Sequence, residues 1–390
     1  MPTVTMIGGG QLARMTHQAA IALGQRLRVL AETSDDPAAQ VSPEVVLGSH
    51  TDLPALRKAA VGSHALTFDH EHVPTEHLEA LVAEGVNVQP PPQALVFAQD
   101  KLAMRTKLAE LGLPVPAFTP VTSPADAVRF GAEHEWRVVL KAVRGGYDGR
   151  GVWMPDSAEA AEAIVVDQLA HGVQLLAEAK VDLKRELSAM VARSPFGQAA
   201  TWPVVETVQR NGQCAVVIAP APELPEKLAV AAETMALNLA EELGVVGAMA
   251  VELFETHDGA LLVNELAMRP HNSGHWGMDG ARTGQFEQHL RAVLDYPLGD
   301  TSPLAPVTVM ANILGAPEAP AMSMDERLHH LFARMPDAKV HLYGKGERPA
   351  RKIGHVNILG DDVAEVREKA ERAAHWMSHA VWTDGWDPHE

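Results

Sequence analysis

The chain has 390 residues and 41.9 kDa, with 32 Lys and Arg against 50 Asp and Glu, a formal charge of −18. That length suits two or three domains with ample core, and 46% hydrophobic with 21% charged residues is ordinary globular usage. So acidic a chain is a poor match for sequence-independent binding of nucleic acid, which needs Lys and Arg against phosphates, and for a polybasic membrane anchor; a small anion held by a local basic cluster stays open.

Strands and helices alternate from the start. Val4–Ile7 reads as a strand, Gln11–Leu23 as a helix ended by Gly24, and Arg28–Ala31 as a second strand. Val45–Leu47, the helix Asp52–Ala60, the strand Ala65–Phe68 and the helix Thr75–Glu84 continue a parallel βαβ order. Pro90-Pro91-Pro92 closes this unit, because proline suits neither helix interior nor central strand. A helix Lys101–Leu111 follows, stopped by Gly112, and the strand Val138–Ala142 runs into the loop Gly145–Gly151. Leu175–Glu178 and Glu186–Ala192 read as strands and Lys227–Leu243 as an amphipathic helix. After a proline-rich stretch from Thr301, strands are expected near Val340 and Val356 and a helix from Val363 to about His379.

No apolar run reaches the roughly 18 residues of a membrane helix. Met1–Ile7 enters a strand without the basic and apolar regions of a secretory signal. The one cysteine, Cys214, precludes an intrachain disulfide and fits a reducing, cytoplasmic setting. Placed after Asn211-Gly212-Gln213, it reads as a small buried side chain at a strand start, not as a nucleophile.

Three stretches carry chemistry. Gly8-Gly9-Gly10-Gln11-Leu12-Ala13 fits G-x-G-x-x-A between a strand and a helix, and Glu32 stands near the spacing of a ribose-binding acid. Nicotinamide dinucleotide binding is therefore one reading; a glycine-rich turn serving another ligand, or none, is the other. The loop Gly145–Gly151 lies beside Lys141, so its N–H groups and that charge suit phosphates, without the G-K-[ST] ending of a P-loop. A plain hairpin turn is the bland alternative. Finally, Asp258-Gly259 between apolar runs is a two-residue hairpin signal. Such a turn pairs His257 with Ala260 and, counting back, Glu252 with Glu265. Facing carboxylates repel unless neutralised, and a hard divalent cation such as Mg²⁺ does so; a slipped register or solvent-facing acids would leave no site. Arg269 and His271 follow at once and suit a transferred phosphoryl or carboxyl group. Asn-Ser-Gly between His271 and His275 speaks against a helical zinc pair. The cluster Arg348, Arg351, Lys352 suits a substrate phosphate. His70, His72 and His77 read as a strand end entering a helix, His375 and His379 as helix surface, and Met235 as core.

Taken together, Ile7–Met15, Lys141–Gly151, Asn264–Trp276 and Arg348–His355 resemble the ATP-grasp superfamily and, within it, the N5-carboxyaminoimidazole ribonucleotide synthase family. Gly-Gly-Tyr-Asp-Gly and His-Asn-Ser-Gly-His-Trp are the specific stretches; Ile7–Met15 is weak alone. The resemblance implies an α/β (α+β) ATP-grasp fold with a Rossmann-like N-terminal domain over 1–95, an ATP-grasp core over 96–300 with a lid near 120–180, and a C-terminal domain over 301–390. It implies carboxylation of 5-aminoimidazole ribonucleotide with ATP, Mg²⁺ and bicarbonate, through carboxyphosphate, by a cytoplasmic homodimer. By position, Lys101, Lys141, Gly146, Tyr147, Asp148, Gly149, Arg150 and Gly151 would hold ATP phosphates. Glu178, Ala179, Lys180 and Val181 would line the adenine pocket, with Glu186 on the ribose and Gln209, Asn264 and Glu265 completing the nucleotide site. Glu252 and Glu265 would bind Mg²⁺, and Tyr147, Asp148, Arg269 and His271 would form the carboxylation centre. Gln11, Leu12, Glu71, Asn272, Ser273, Lys345, Arg351 and Lys352 would hold the ribonucleotide. Gln209 stands where relatives often carry histidine, Met268 where proline is frequent, and Phe68-Asp69-His70-Glu71 is a variant segment. A sister formate-dependent transformylase or biotin carboxylase, a dehydrogenase and a non-catalytic nucleotide-binding module are the competing readings.

Overall fold

The computed structural model describes residues 1–146 and 151–386. The first unit follows the alternating pattern: β1 (Thr3–Ile7), α1 (Gln11–Ala22), β2 (Arg26–Ala31), β3 (Glu44–Leu47), α2 (Leu53–Ala60), β4 (Ala65–Phe68) and α3 (Thr75–Ala83). Its four strands are all parallel, in the order β3-β2-β1-β4. β1 and β4 are covered on both faces, which is why they lack apolar–polar alternation. The proline run does more than close this unit, because Pro92 opens helix α4 (Pro92–Gln99). At the first helical position the missing N–H would have had no partner, and the ring already holds a helical φ. Helix α5 (Lys101–Glu110) follows, its first turn capped by the Asp100 carboxylate, which accepts from the Ala103 N–H at 2.9 Å.

A second, antiparallel sheet is built from β5 (Phe118–Val121), β6 (Val138–Ala142), β7 (Val152–Trp153) and β8 (Leu175–Ala179), with α6 (Pro124–Glu133) and α7 (Ala158–Ala170) on one side. It has its own small core, including Val121, Phe130, Leu140 and Val165. The sequence reading omits both helices: α7 (AEAAEAIVVDQLA) is alanine-rich all round, so no apolar stripe marks it.

The remainder forms one nine-stranded sheet. Its elements are β9 (Leu183–Arg193), β10 (Ala199–Thr201), β11 (Val205–Arg210), β12 (Gln213–Ala219), α8 (Glu226–Glu242), β13 (Gly247–Thr256), β14 (Leu261–Ala267), α9 (Gly277–Gly280), α10 (Gln285–Val293), β15 (Val307–Leu314), α11 (Met324–Arg334), β16 (Lys339–Leu342), β17 (Lys352–Gly360) and α12 (Val363–His379). The order is β14-β13-β9-β11-β12-β15-β17-β16, with β10 on β9. Strand β15 escapes a reading that stresses Pro303 and Pro306, yet proline just before a strand costs no ladder bond. The largest core joins Phe68 from the first unit and Leu95 from α4 to Val251, Val263 and Leu266 from the hairpin β13–β14. Residues after β16 return to the first unit: Tyr343 packs with Val4 and Val29, and the Gln40 amide donates to the Gly344 carbonyl at 2.8 Å. The hairpin, the second sheet and this return segment thereby converge on one cleft.

Candidate active site

The centre of the cleft is the β13–β14 hairpin, and Glu252 does pair with Glu265. The route differs from the expected one. Thr256 N–H donates to the Ala260 carbonyl at 3.0 Å, so the turn holds three residues, His257 to Gly259, and Leu253 faces Val263. The register then shifts by one between Glu252 and Leu253, leaving Asn264 as an extra residue on β14. Val263 and Leu266 both enter the main core although three residues apart, which strict alternation forbids. The β-bulge between them turns Asn264 and Glu265 together toward the cleft.

Each carboxylate has a nitrogen side chain beside it. Glu265 Oε1 meets Lys101 Nζ at 2.7 Å, and Glu252 Oε1 meets His271 Nε2 at 3.0 Å. Burial alone would raise the Glu252 carboxyl, but the His271 hydrogen bond and charge, with Lys101 and Lys352, hold it below the usual carboxylate range. Among the described residues, no group of three His, Cys, Asp and Glu side chains is arranged to hold a metal by itself. Two carboxylates and an amide oxygen are a partial, all-oxygen set, which suits a hard cation completed by phosphates.

Lys141, expected to face phosphate, is anchored from behind. Its Nζ lies 2.7 Å from Glu178 Oε2, and Glu178 Oε1 accepts from Arg105 Nε at 2.7 Å. Arg105 Nη1 also donates to the Val263 carbonyl at 3.1 Å, tying α5 to the hairpin. Burial lowers the Lys141 pKa against the pull of Glu178. Burial raises Glu178, but Lys141 and Arg105 outweigh it and keep the group ionised. Glu178, Ala179, Lys180 and Val181 form the strand end and crossing between the second sheet and β9; the Lys180 N–H donates to Arg137 O at 2.8 Å. Glu186 sits beside Gln209, across from Thr207 on β11, and is pushed up to about 7 by burial and then by Glu252. Gly146 and Gly151 flank the loop, and Gly151 O accepts from the Ala142 N–H at 2.8 Å. Tyr147, Asp148, Gly149 and Arg150 lie outside the described residues.

Beyond β14 the chain turns through Arg269 and His271 into a short 3-10 turn, Asn272–Gly274. Arg269 Nε lies 2.7 Å from Glu71 Oε2, whose other oxygen accepts from the Met268 N–H at 3.3 Å. Glu71, expected at the substrate, thus clamps Arg269; burial disfavours that charge, but Glu71 more than restores it. Ser273 requires correction as a substrate contact: it is 1% exposed, and its hydroxyl bonds Ser188 Oγ and His271 Nδ1, each at 2.8 Å. It orients His271 instead. Asn272 is half-buried beside it, and His275 is fully buried in the core, away from any shared metal with His271.

The glycine-rich turn of the first unit is already filled. The Asp69 carboxylate accepts from Gly10 N–H at 3.0 Å and Ala13 N–H at 2.8 Å, taking the α1 amides that a pyrophosphate would need. A Cβ on Gly10 would fall 2.2 Å from Asp69 Oδ2, so the glycine serves Asp69. This overturns the dinucleotide reading. Beside the turn lies a pocket of about 320 Å³ lined in part by His50, His70, Lys345 and Arg351. Lys345 bonds Gln11 Oε1, Leu12 is buried, Arg351 Nη1 donates to Gly346 O at 3.2 Å, and Lys352 starts β17 close enough to act on Glu252.

Sequence reasoning missed Arg105, Asp69 and Gln285. Arg105 had a signal: a charge within three positions of buried Met104 and Leu108 on one helix implies a buried partner. Cys214 stands at the start of β12 as expected but is half-buried, not buried, and its thiol is pushed up to about 12 by desolvation, which suits no nucleophile. His375 is half-buried and His379 exposed on α12, and Met235 packs on the main core.

Three family models match in succession along the chain: a ribonucleotide synthetase preATP-grasp domain over residues 1–99, an ATP-grasp domain over 106–286, and a phosphoribosylaminoimidazole carboxylase C-terminal domain over 308–369. The chain is 69% identical over 388 residues to the N5-carboxyaminoimidazole ribonucleotide synthase of Mycobacterium tuberculosis, covering 100% of this chain and 90% of that one. It is 54% identical to that of Corynebacterium ammoniagenes, covering 99% and 94%. A crystal structure of an N5-carboxyaminoimidazole ribonucleotide synthetase with ADP aligns at TM-score 0.87 and 36% identity, over 96% of this chain and 97% of that one. The Aspergillus clavatus enzyme with ADP and 5-aminoimidazole ribonucleotide aligns at 0.86 and 28% identity, over 96% and 98%.

Proposed function

The chain belongs to the N5-carboxyaminoimidazole ribonucleotide synthase family of ATP-grasp ligases, which carboxylate 5-aminoimidazole ribonucleotide at the expense of ATP in purine biosynthesis, and on that premise we propose how its own residues do so. A bicarbonate oxygen attacks the γ-phosphorus of ATP; the bond to the β–γ bridging oxygen breaks, and ADP leaves. The resulting carboxyphosphate delivers its carboxyl carbon to the substrate amine as phosphate departs with the C–O electron pair, and the amine proton passes to that phosphate.

Lys101 and Lys141 counter the charge of the ATP phosphates, and Glu178 with Arg105 keeps Lys141 extended toward them. Glu186 and Gln209 receive the ribose, and the Glu178–Val181 crossing lines the adenine site. Glu252, Glu265 and Asn264 would hold Mg²⁺, which when bound screens the phosphate charge. Arg269 and His271 stabilise charge growing on the carboxyl and phosphoryl oxygens. Lys345, Arg351 and Lys352, with Gln11 and Asn272, bind the ribonucleotide. The reading carries with it domains at 1–95, 96–300 and 301–390, a cytoplasmic location and a homodimer. What supports it most is the Glu252–Glu265 pair beside Lys101, with Arg269 and His271 at the end of the same strand.

The test is ADP release, expected only with both 5-aminoimidazole ribonucleotide and bicarbonate. Equal turnover without either, or with formate in place of bicarbonate, overturns the reading. Glu265→Gln is expected to lower kcat by roughly 10²–10³, with the Mg²⁺ requirement shifted to higher concentration.

A further inference from the structure

Gln285, the first residue of α10, has no role in the reaction outlined above, yet its buried side chain is bonded on every side. Oε1 accepts from the His271 N–H at 2.7 Å, and Nε2 donates to the His271 carbonyl at 2.8 Å. The peptide groups decide which end of the amide is which, because an N–H must face oxygen and a C=O must face nitrogen. The same Nε2 lies 2.8 Å from His275 Nδ1. With that amide end fixed as donor, His275 Nδ1 must accept. A neutral ring then carries its proton on Nε2.

The surroundings keep the ring neutral and still. Burial drives the His275 pKa well below its ordinary value, helped by the neighbouring His271 and His341 and by the charges of Lys352 and Arg269. The ring stacks on His355 at 4.9 Å between centroids, with Phe286 at 5.7 Å and Tyr343 at 6.4 Å. The turn has no slack either: a Cβ on Gly274 would fall 2.4 Å from Met190 Sδ and 2.7 Å from Gln285 Oε1.

We infer that Gln285 is a positioning residue, clamping the His271 peptide so that His271 and Asn272 face the reacting centre, and that His275, protonated on Nε2, locks Gln285 in place. The inference rests on the role proposed for His271. Ser273 fixes the His271 ring through Nδ1; Gln285 fixes the backbone that carries it. Neither touches substrate.

Gln285→Glu tests this, since a carboxylate still accepts from the His271 N–H but donates to neither the His271 carbonyl nor His275. The expected result is a kcat lower by roughly 10- to 100-fold, as for a misplacement of about 1 Å, with the KM for ATP within about twofold. Imidazole ¹⁵N NMR, assigned with His275→Gln, is expected to find His275 protonated on Nε2 alone in the wild-type protein and on Nδ1 in Gln285→Glu. A wild-type His275 protonated on Nδ1 overturns the inference, even if the variant does not fold. So does an unchanged kcat, or a loss that raises the KM for ATP in step with the fall in kcat. Wild-type protein that fails to carboxylate overturns the functional reading instead, and leaves the tautomer measurement standing.

Discussion

Glu186 is a carboxylate that its surroundings resist charging: burial and then Glu252 push it up to about 7, against a Gln209 hydrogen bond and Lys141. A folded-state value raised above the ordinary 4.5 means the folded protein keeps a proton that the unfolded chain has released. Stability contributed by this group is therefore present below about pH 4.5 and lost as pH rises toward 7. In chelator and without nucleotide, Glu186→Gln should melt above wild type at pH 8, by a few degrees, with the gap closing as pH falls to 5. A gap independent of pH would mean the charge is not what the site opposes. Glu186 is also a measure of what sequence alone conveys. Its place in the nucleotide site followed from resemblance, but its partners Glu252 and Gln209 lie on other strands. Likewise Glu178 was expected at adenine, while the arginine that pins it stands 73 positions away on α5. The burial of that arginine left a local trace beside Met104 and Leu108, but the carboxylate it meets left none. Asp69 made the opposite error possible: a Gly-x-Gly turn looks the same in sequence whether its amides hold a phosphate or a carboxylate from the end of the neighbouring strand, here β4.

At the scale of the element, the pairing of Glu252 with Glu265 was legible, though for an incomplete reason. A three-residue turn displaces the register by one, and the bulge at Asn264 restores it. The alternation of buried residues along β14 breaks at that point, Val263 and Leu266 both facing the core, and that break is the trace the bulge leaves in sequence. Removing Asn264 would leave Leu253 opposite Val263 and Glu252 opposite Glu265. The deletion should therefore fold, with a melting temperature within a few degrees of wild type and an unchanged far-ultraviolet spectrum. Activity should fall at least about tenfold, because the bulge exists to aim two side chains into the cleft. Retained activity would mean that Asn264 only fills space. Two causes recur among the elements that were missed. Helix α7 has no stripe, and α4 and β15 begin at or just after prolines, where proline is tolerated at an end and reads as a stop.

For the whole molecule, the net charge of −18 conceals a cleft in which Lys101, Lys141, Arg269 and Lys352 gather around a few acids. What holds that cleft together is the nine-stranded sheet, which runs without a break across the boundary proposed near residue 300. β12 pairs with β15 through Val216–Ala219 and Thr308–Ala311, and its side chains Ala215, Val216 and Ile218 share a core with Val309, Val356 and Trp376. A chain ending at Asp300 would expose that apolar face and leave β12 with an open edge, a template for pairing with other copies. It would also lose Tyr343 from the core of the first unit, and with it the segment carrying Lys345, Arg351 and Lys352. Residues 1–300 alone are thus expected to aggregate, or to remain compact without a cooperative melt, in size-exclusion and thermal-unfolding measurements. A soluble monomer melting cooperatively near the intact protein would show instead that the C-terminal strands are an appendage. The sheet argues otherwise, since β16 and β17, which flank the segment carrying Lys345 and Arg351, continue the sheet that holds Glu252, and β15 and β17 share a core with β12.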